Sequence, residues 1–495
     1  MQRLHYGEWS TNGTTLSQNG GVPYHLSAHQ NIRLSEPSFM PRHLQSLLFV
    51  AISALLFTRT LIVRSLDTPW LEDIELLLAS LDPHVSIWAP VYDNPVAIQR
   101  IIARLVEPLV GLEYGPLVFA ILSILFLAYV STYVVRPGFE WIVPGLRVRV
   151  ALAFWIALGP GTVDVAGCLI NTTYTLSLLV LLMSLERTQG RYLNLAIVSA
   201  IAGLSSHTAF IAIPSLLVRI LTEKRRWPFV LSVMCIGFSV ANAIRRNYAM
   251  SASLNPAPAT LYIQASLDYL LFWLQSFFVA PITGSLFAYL SKTLWPLNLL
   301  LIAGGFSLFI YLCRRARQRV PQFVVAIAAG SLLFATASVV GRTGLYGQSA
   351  GDTAFATLSR HNSIYSWTMA LAWSALIPWK QLTSLFLGRA MLALQVSVLL
   401  YMWFIRIAPP RTGWAESITR LRIFAHSPSD GTEEITIPQY HSGYSEISCH
   451  KSGDELTCTG MWSQRQHLFR LPIAALATPH DPNLWQREDK PGTAL

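Results

Sequence analysis

Apolar runs that are candidate membrane spans recur along this chain, separated by polar or basic stretches. They cover 44–63, 114–135, 150–158, 174–185, 193–221, 228–244, 295–313, 323–340, 364–379 and 385–405. One helical pass takes about twenty apolar residues. The run 193–221 is too long for one pass and is interrupted by Ser205-Ser206-His207, so it reads as two short helices turning there. About eleven passes result. The expected fold class is an all-α polytopic membrane protein with its termini on opposite sides.

Composition agrees: 53% of the 495 residues are hydrophobic and 13% charged, against about 25% charged in soluble domains. The formal net charge of +10 is first a topology signal, because cytoplasmic loops hold the excess of Lys and Arg. Arg136, Arg147 and Arg149, then Arg187 and Arg191, then Arg219 and Lys224 to Arg226, then Arg314 to Arg319, then Lys380 fall on one side if the N-terminus is cytoplasmic. The C-terminus is then extracytoplasmic. Attraction to anionic membrane lipids follows as a by-product, and nucleic-acid binding is not indicated. Arg59, Arg64, Arg245 and Arg246 fall on the other side, where they are candidates for pairing with a phosphate.

Three segments stand outside the apolar runs. Residues 1–43 are polar, lack the apolar core of a signal peptide and read as a disordered cytoplasmic tail. Residues 44–410 form the membrane domain, whose first outer loop, 64–113, is far longer than an ordinary connection. In that loop Ile98, Ile101, Ile102, Leu105 and Leu109 recur at spacings of three and four, opposite Gln99, Arg100 and Arg104. This is an amphipathic helix suited to lie on the membrane interface. A second outer segment, 245–290, is broken by Pro281, Thr283 and Gly284 and reads as re-entrant or interfacial; a third, 341–363, carries Arg360 and His361. Residues 411–495 form a small β-rich extracytoplasmic domain with alternating runs such as Glu434-Ile435-Thr436-Ile437. There Cys449 and Cys458 flank a turn signal at Lys451-Ser452-Gly453-Asp454, and an outside location permits a disulfide between them.

The candidate chemistry begins at Leu71-Glu72-Asp73-Ile74-Glu75, just past the first span. Carboxylates in a first helical turn favour the helix dipole, and Pro69 is placed to start a helix. The same acids at a membrane surface are also candidates for a general base or a metal ligand. Asp164 follows a Gly159-Pro160-Gly161 break, where freed backbone groups must line protein or water; it is otherwise a simple loop acid. His207, at the span-breaking turn, is a phosphate contact or acid, or a hydrogen-bonded turn residue. No Gly-rich phosphate loop, no Cys/His metal spacing and no Ser/His/Asp ordering is present, so soluble nucleotide chemistry is unsupported.

Trp70-Leu71-Glu72-Asp73, Gln99-Arg100 with Arg104, and Gly159-Pro160-Gly161-Thr162-Val163-Asp164 leading to Asn171-Thr172-Thr173-Tyr174 resemble the motifs of GT-C type membrane glycosyltransferases of bacteria. The resemblance spans most of 44–405. It implies transfer of a sugar from a polyprenyl-phosphate carrier to an envelope glycan or lipid acceptor, on the non-cytoplasmic face of the inner membrane. Asp73 or Glu72 would be the base; Arg360, Arg245, Arg246 and His207 would meet the donor phosphate; Gln99, Arg100, Arg104, Asp164 and Asn171 would line the substrate. The structural alternative for each Arg is snorkelling to the interface. A divalent metal is compatible with the acids but not required. Where relatives show Arg-Tyr this chain has Arg360-His361, which keeps the cation and changes its aromatic neighbour. Two other function classes fit less well: a polysaccharide polymerase or ligase, whose main loop comes late, and a transporter or flippase, which predicts mid-span acids and repeated halves.

Overall fold

The computed structural model describes residues 42–63, 71–91, 95–187, 192–251, 259–283, 295–316, 320–339, 360–379, 389–390, 392–397, 400, 413–439, 443–462 and 465–476. The expected N-terminal tail up to residue 41, residues 341–359 of the third outer segment and most of the run 385–405 lie outside these residues.

The described chain is mostly helical. Helices α1 (Arg42–Val63), α2 (Leu71–Leu81), α3 (Ala97–Tyr133), α4 (Leu146–Leu158), α5 (Thr162–Val165) and α6 (Thr172–Leu185) form the first half. They are followed by α7 (Tyr192–Ser205), a 3-10 turn (His207–Ala212), α8 (Ile213–Thr222) and α9 (Trp227–Ser251). Next come α10 (Ala259–Leu274), a π-turn (Gln275–Val279), α11 (Ala280–Thr283), α12 (Trp295–Arg315), α13 (Val320–Ser338) and α14 (Arg360–Leu376). Five helices, α1, α3, α9, α12 and α13, are long and apolar enough to cross a membrane. Their length and composition are those of a membrane protein, and the count of about eleven passes read from the sequence is not confirmed among the described residues. The reason is visible at the breaks: Gly159-Pro160-Gly161 ends α4 after 13 residues, and Ser206 divides α7 from the 3-10 turn and α8. The turn expected at 205–207 is where the structure has it. Residues 259–283 are one helical run carrying a π-turn, so Pro281 does not interrupt it as the sequence suggested.

The helices cross at close range where a small residue permits it. A Cβ at Gly115 of α3 would lie 2.4 Å from Leu77 Cδ2 of α2, and one at Gly330 of α13 would lie 2.1 Å from the Ile211 carbonyl oxygen. Either approach excludes any larger side chain without a shift of the partner.

Prolines within or beside helices remove the N–H that the carbonyl four residues back would receive. Away from water such an orphaned carbonyl is costly. Tryptophan indoles take the place of four of these donors. Pro116 orphans Leu112, whose carbonyl accepts from Trp414 Nε1 at 2.8 Å. Pro160 orphans Ile156, which accepts from Trp367 Nε1 at 2.8 Å. Pro281 orphans Phe277, which accepts from Trp373 Nε1 at 2.8 Å, and Pro378 orphans Ser374, which accepts from Trp379 Nε1 at 3.1 Å. A ring that packs as an apolar body and ends in a donor suits this task in a dry interior.

The C-terminal part is helix α15 (Trp414–Ala425) followed by β1 (Gly431–Gln439), β2 (Gly443–Ser452), β3 (Glu455–Trp462) and β4 (Arg465–Pro472), an antiparallel meander, and then α16 (Ile473–Leu476). The β2–β3 hairpin turns at Gly453, whose φ of +60° is the left-handed region that favours glycine. Ile435, Ile437, Ile447, Cys449, Leu456 and Leu471 alternate inward and are buried. Cys449 and Cys458 face each other across β2 and β3 and are joined, as expected from the hairpin spacing. The sheet is not free-standing. Its apolar face shares one core with Ile74, Leu77 and Leu78 of α2 and with Val106 and Leu112 of α3. Polar ties reinforce it: Arg422 pairs with Glu113, and the Arg470 amide donates to Asp82 Oδ2 at 2.9 Å. Burial pulls the Arg422 guanidinium down from its ordinary value, opposed by the charge of Glu107. The first outer loop and the C-terminal sheet therefore lie on the same side.

Candidate functional site

The α3 helix explains how the loop reaches the membrane domain. Gly111 (φ 74°, ψ 167°) breaks it into a segment 97–110 and a longer apolar segment after the break. On the first segment Ile101, Leu105 and Leu109 are exposed, while Gln99 and Arg100 are buried. This is the amphipathic helix read from the sequence, and its polar face is turned into the protein.

That face meets the acids of α2. Arg100 lies 3.5 Å from Glu75, and its Nε donates to the Ala89 carbonyl at 2.7 Å. Arg104 donates to the Val85 carbonyl. Both cations thus anchor the loop 82–91 across the helix, and the charge of Arg100 is partly answered by Glu75.

Asp73 is buried, 1% exposed. Its Oδ2 accepts from the Leu169 amide and its Oδ1 from the Ile170 amide, each at 3.1 Å. It is therefore not an acid on an exposed surface. Ile74 and Leu77 pull α2 into the core, and the carboxylate is compensated by two backbone donors at the entrance to α6. Asp73 therefore fixes the 166–171 loop.

The same loop gathers the other candidates. Gly161, with φ +81°, turns the chain out of α4, and α5 presents Asp164, which is buried. Asn171 Nδ2 donates to the Asp164 carbonyl at 2.6 Å. One residue on, Thr172 Oγ1 accepts from Gln99 Nε2 at 3.1 Å. Gln99 is 1% exposed and its Oε1 is buried with no hydrogen-bond partner among the described residues. An amide oxygen left this way is the kind of group a donor from outside the chain would satisfy. Ser205 Oγ accepts from the Ile98 amide at 3.4 Å, which places the α7 turn, and with it His207, beside the start of α3. Next to it Ser177, Ser206 and Thr208 share hydroxyl contacts of 2.5–3.3 Å.

Asp73, Gln99, Asp164 and Asn171 thus come together around this loop, while Arg100 and Arg104 hold the loop 82–91 and His207 follows the turn that meets the start of α3. Arg245 does not join them: it is exposed on α9, and no hydrogen bond or ion pair among the described residues links it to this cluster. The side chains of Glu72, Arg246, Arg360 and His361 lie outside the described residues. The backbone of α14 does approach. Ser366 Oγ accepts from Trp155 Nε1 at 2.9 Å, and α14 packs on α5.

Sequence reasoning overlooked Arg59. From sequence it is a cation on the unexpected side and a candidate phosphate partner, yet it is buried on α1, with Nη1 donating to Thr162 Oγ1 at 2.9 Å and to the Leu158 carbonyl at 3.3 Å. It ties α1 to the Gly-Pro-Gly break that presents Asp164. The available signal was an arginine within an apolar span, which is rare without a purpose. Comparison of the chain with protein-family models, with curated proteins and with solved structures returns no match.

Proposed function

We propose that this protein is a membrane glycosyltransferase that moves a sugar from a polyprenyl-phosphate carrier to an envelope glycan or lipid acceptor on the non-cytoplasmic face. The observation that supports it most is the convergence of the α2 acids with the inward polar face of the interfacial segment of α3 on the loop before α6. The disulfide between Cys449 and Cys458 adds a compartment: such bonds persist where it is oxidising. The sheet that carries it shares a core with α2, so the acids lie in that compartment too. In this reading an even number of crossings, α3 included, separates the first outer loop from α15, supplied by the long helices together with the shorter apolar ones.

The chemistry is a substitution at the anomeric carbon. The acceptor oxygen forms the new bond, its proton passes to a carboxylate, and the bond to the carrier phosphate breaks with both electrons leaving on the phosphate. Glu72 is the base in this assignment, since both oxygens of Asp73 are committed to backbone amides and its part is to position the loop. The departing phosphate needs cations. Arg360 opens α14, which packs on α5, and Arg100 stands beside Gln99 on α3.

Arg360→Gln is expected to raise the concentration of lipid-linked donor needed for half-maximal transfer, and Arg360→Lys to recover part of the loss, because a point charge replaces a guanidinium fork only partly. Transfer by reconstituted protein at limiting donor reads this directly. Equal rates for wild type and Arg360→Gln would remove Arg360 from the site.

A further inference from the structure

The far end of the bundle carries a second charged surface, and the argument for its role does not depend on what the site transfers. Helix α3 runs from the Gly111 break to Tyr133, about 30 Å at 1.5 Å per residue. At that end lie the end of α6, the end of α8, the start of α9 and the start of α13, linked through Trp141. Its indole Nε1 donates to the Leu185 carbonyl at 2.9 Å, and its ring meets Phe323 at 5.0 Å and the Arg187 guanidinium at 3.9 Å.

The acids of this end are already engaged. Glu140 pairs with buried Arg149 at 2.9 Å, Glu223 pairs with buried Arg219 at 2.7 Å, and Glu186 accepts from Tyr133 Oη at 2.5 Å. Arg219 also donates to the carbonyls of Ser184, Leu185 and Glu186, closing the end of α6. Arg147, Lys224, Arg225, Arg226, Arg314 and Arg315 point outward and are exposed. Apolar and aromatic side chains stand exposed beside them: Leu221 and Trp227 flank the Lys224–Arg226 run, and Tyr311 lies 4.8 Å beneath Arg315. Cations next to exposed tryptophan and tyrosine at the ends of apolar helices mark a bilayer head-group level.

We infer that this end docks anionic phospholipid head groups of the leaflet facing away from the disulfide-bonded sheet, with Lys224, Arg225 and Arg226 as its main contact and Trp227 as its interfacial anchor. Charge complementarity carries the assignment. The surface presents cations with their local acids consumed inside the fold, at a level fixed by the helix ends.

The test uses full-length protein in phosphatidylcholine bilayers doped with spin-labelled phosphatidylglycerol or spin-labelled phosphatidylcholine. Wild type should immobilise the anionic probe at least about twofold more than the zwitterionic one, and high salt should reduce the preference. The triple variant K224Q/R225Q/R226Q should lose most of it, while K224R/R225K/R226K, which conserves charge, should keep it. Equal immobilisation of both probes by wild type, or an unchanged preference in the glutamine variant, would overturn the proposal.

Discussion

Glu72→Gln should reduce transfer by about a hundred- to ten-thousand-fold, the usual loss when a general base is removed, and leave membrane abundance near that of wild type. Asp73→Asn should behave differently. Its carboxylate accepts from two backbone amides in a buried position. An amide side chain can accept with one atom only and turns an N–H toward the other donor. An unsatisfied buried pair costs about 1–3 kcal/mol, more when a charge was involved. Asp73→Asn should therefore lower the folded fraction as well as the activity. Detergent-extracted protein followed by size exclusion, alongside transfer at matched abundance, separates the two effects. Full activity of Glu72→Gln would remove the base, and normal folding of Asp73→Asn would remove the loop clamp.

The second large effect concerns the tryptophan donors. Trp414→Phe keeps most of the ring in the core shared by α15, α2 and α3 but leaves the Leu112 carbonyl without its 2.8 Å donor. The expected cost is about 1–3 kcal/mol, seen as a lower unfolding midpoint. Pro116→Ala restores an N–H one turn below Leu112, where the helix is regular after the Gly111 break. The double variant Trp414→Phe with Pro116→Ala should be more stable than Trp414→Phe alone. Additive or worsened destabilisation would show that the indole is not standing in for the proline.

What the sequence makes legible is local. The 3.6-residue pattern of 98–109 placed an amphipathic helix correctly, and its exposed stripe is the one the periodicity draws. Ser205-Ser206-His207 marked the turn between two short helices, and Gly453 between two cysteine-bearing runs marked the hairpin and its disulfide. What it hides is pairing at long range. Nothing around Asp73 announces that its partners are the amides of Leu169 and Ile170, since backbone donors have no sequence signature. Likewise Trp414 and Pro116 lie 298 positions apart, and only their meeting in space gives either a reason. Hydropathy also reads a full membrane span and a short helix such as α6, most of whose residues are buried by protein, alike.

Among the candidate residues, some that lie far apart in sequence are brought together in space. Gln99, Asp164 and Asn171 come from two separate stretches and meet at one loop, with Arg100 beside Gln99 turned to Glu75. Arg59 was misjudged because a topology rule treats a cation only as a marker of sides, whereas a buried guanidinium can bridge two helices.

The central claim is sugar transfer at the outer surface, and the most direct measurement is mass spectrometry of the envelope glycans and lipids. It compares a strain lacking this protein, its parent, and the deletion strain carrying wild type or Glu72→Gln. The account predicts a glycan or lipid short of one sugar residue in the deletion strain, restored by wild type and not by Glu72→Gln at equal membrane abundance. Identical glycans and lipids in deletion and parent, or full restoration by Glu72→Gln, would contradict it.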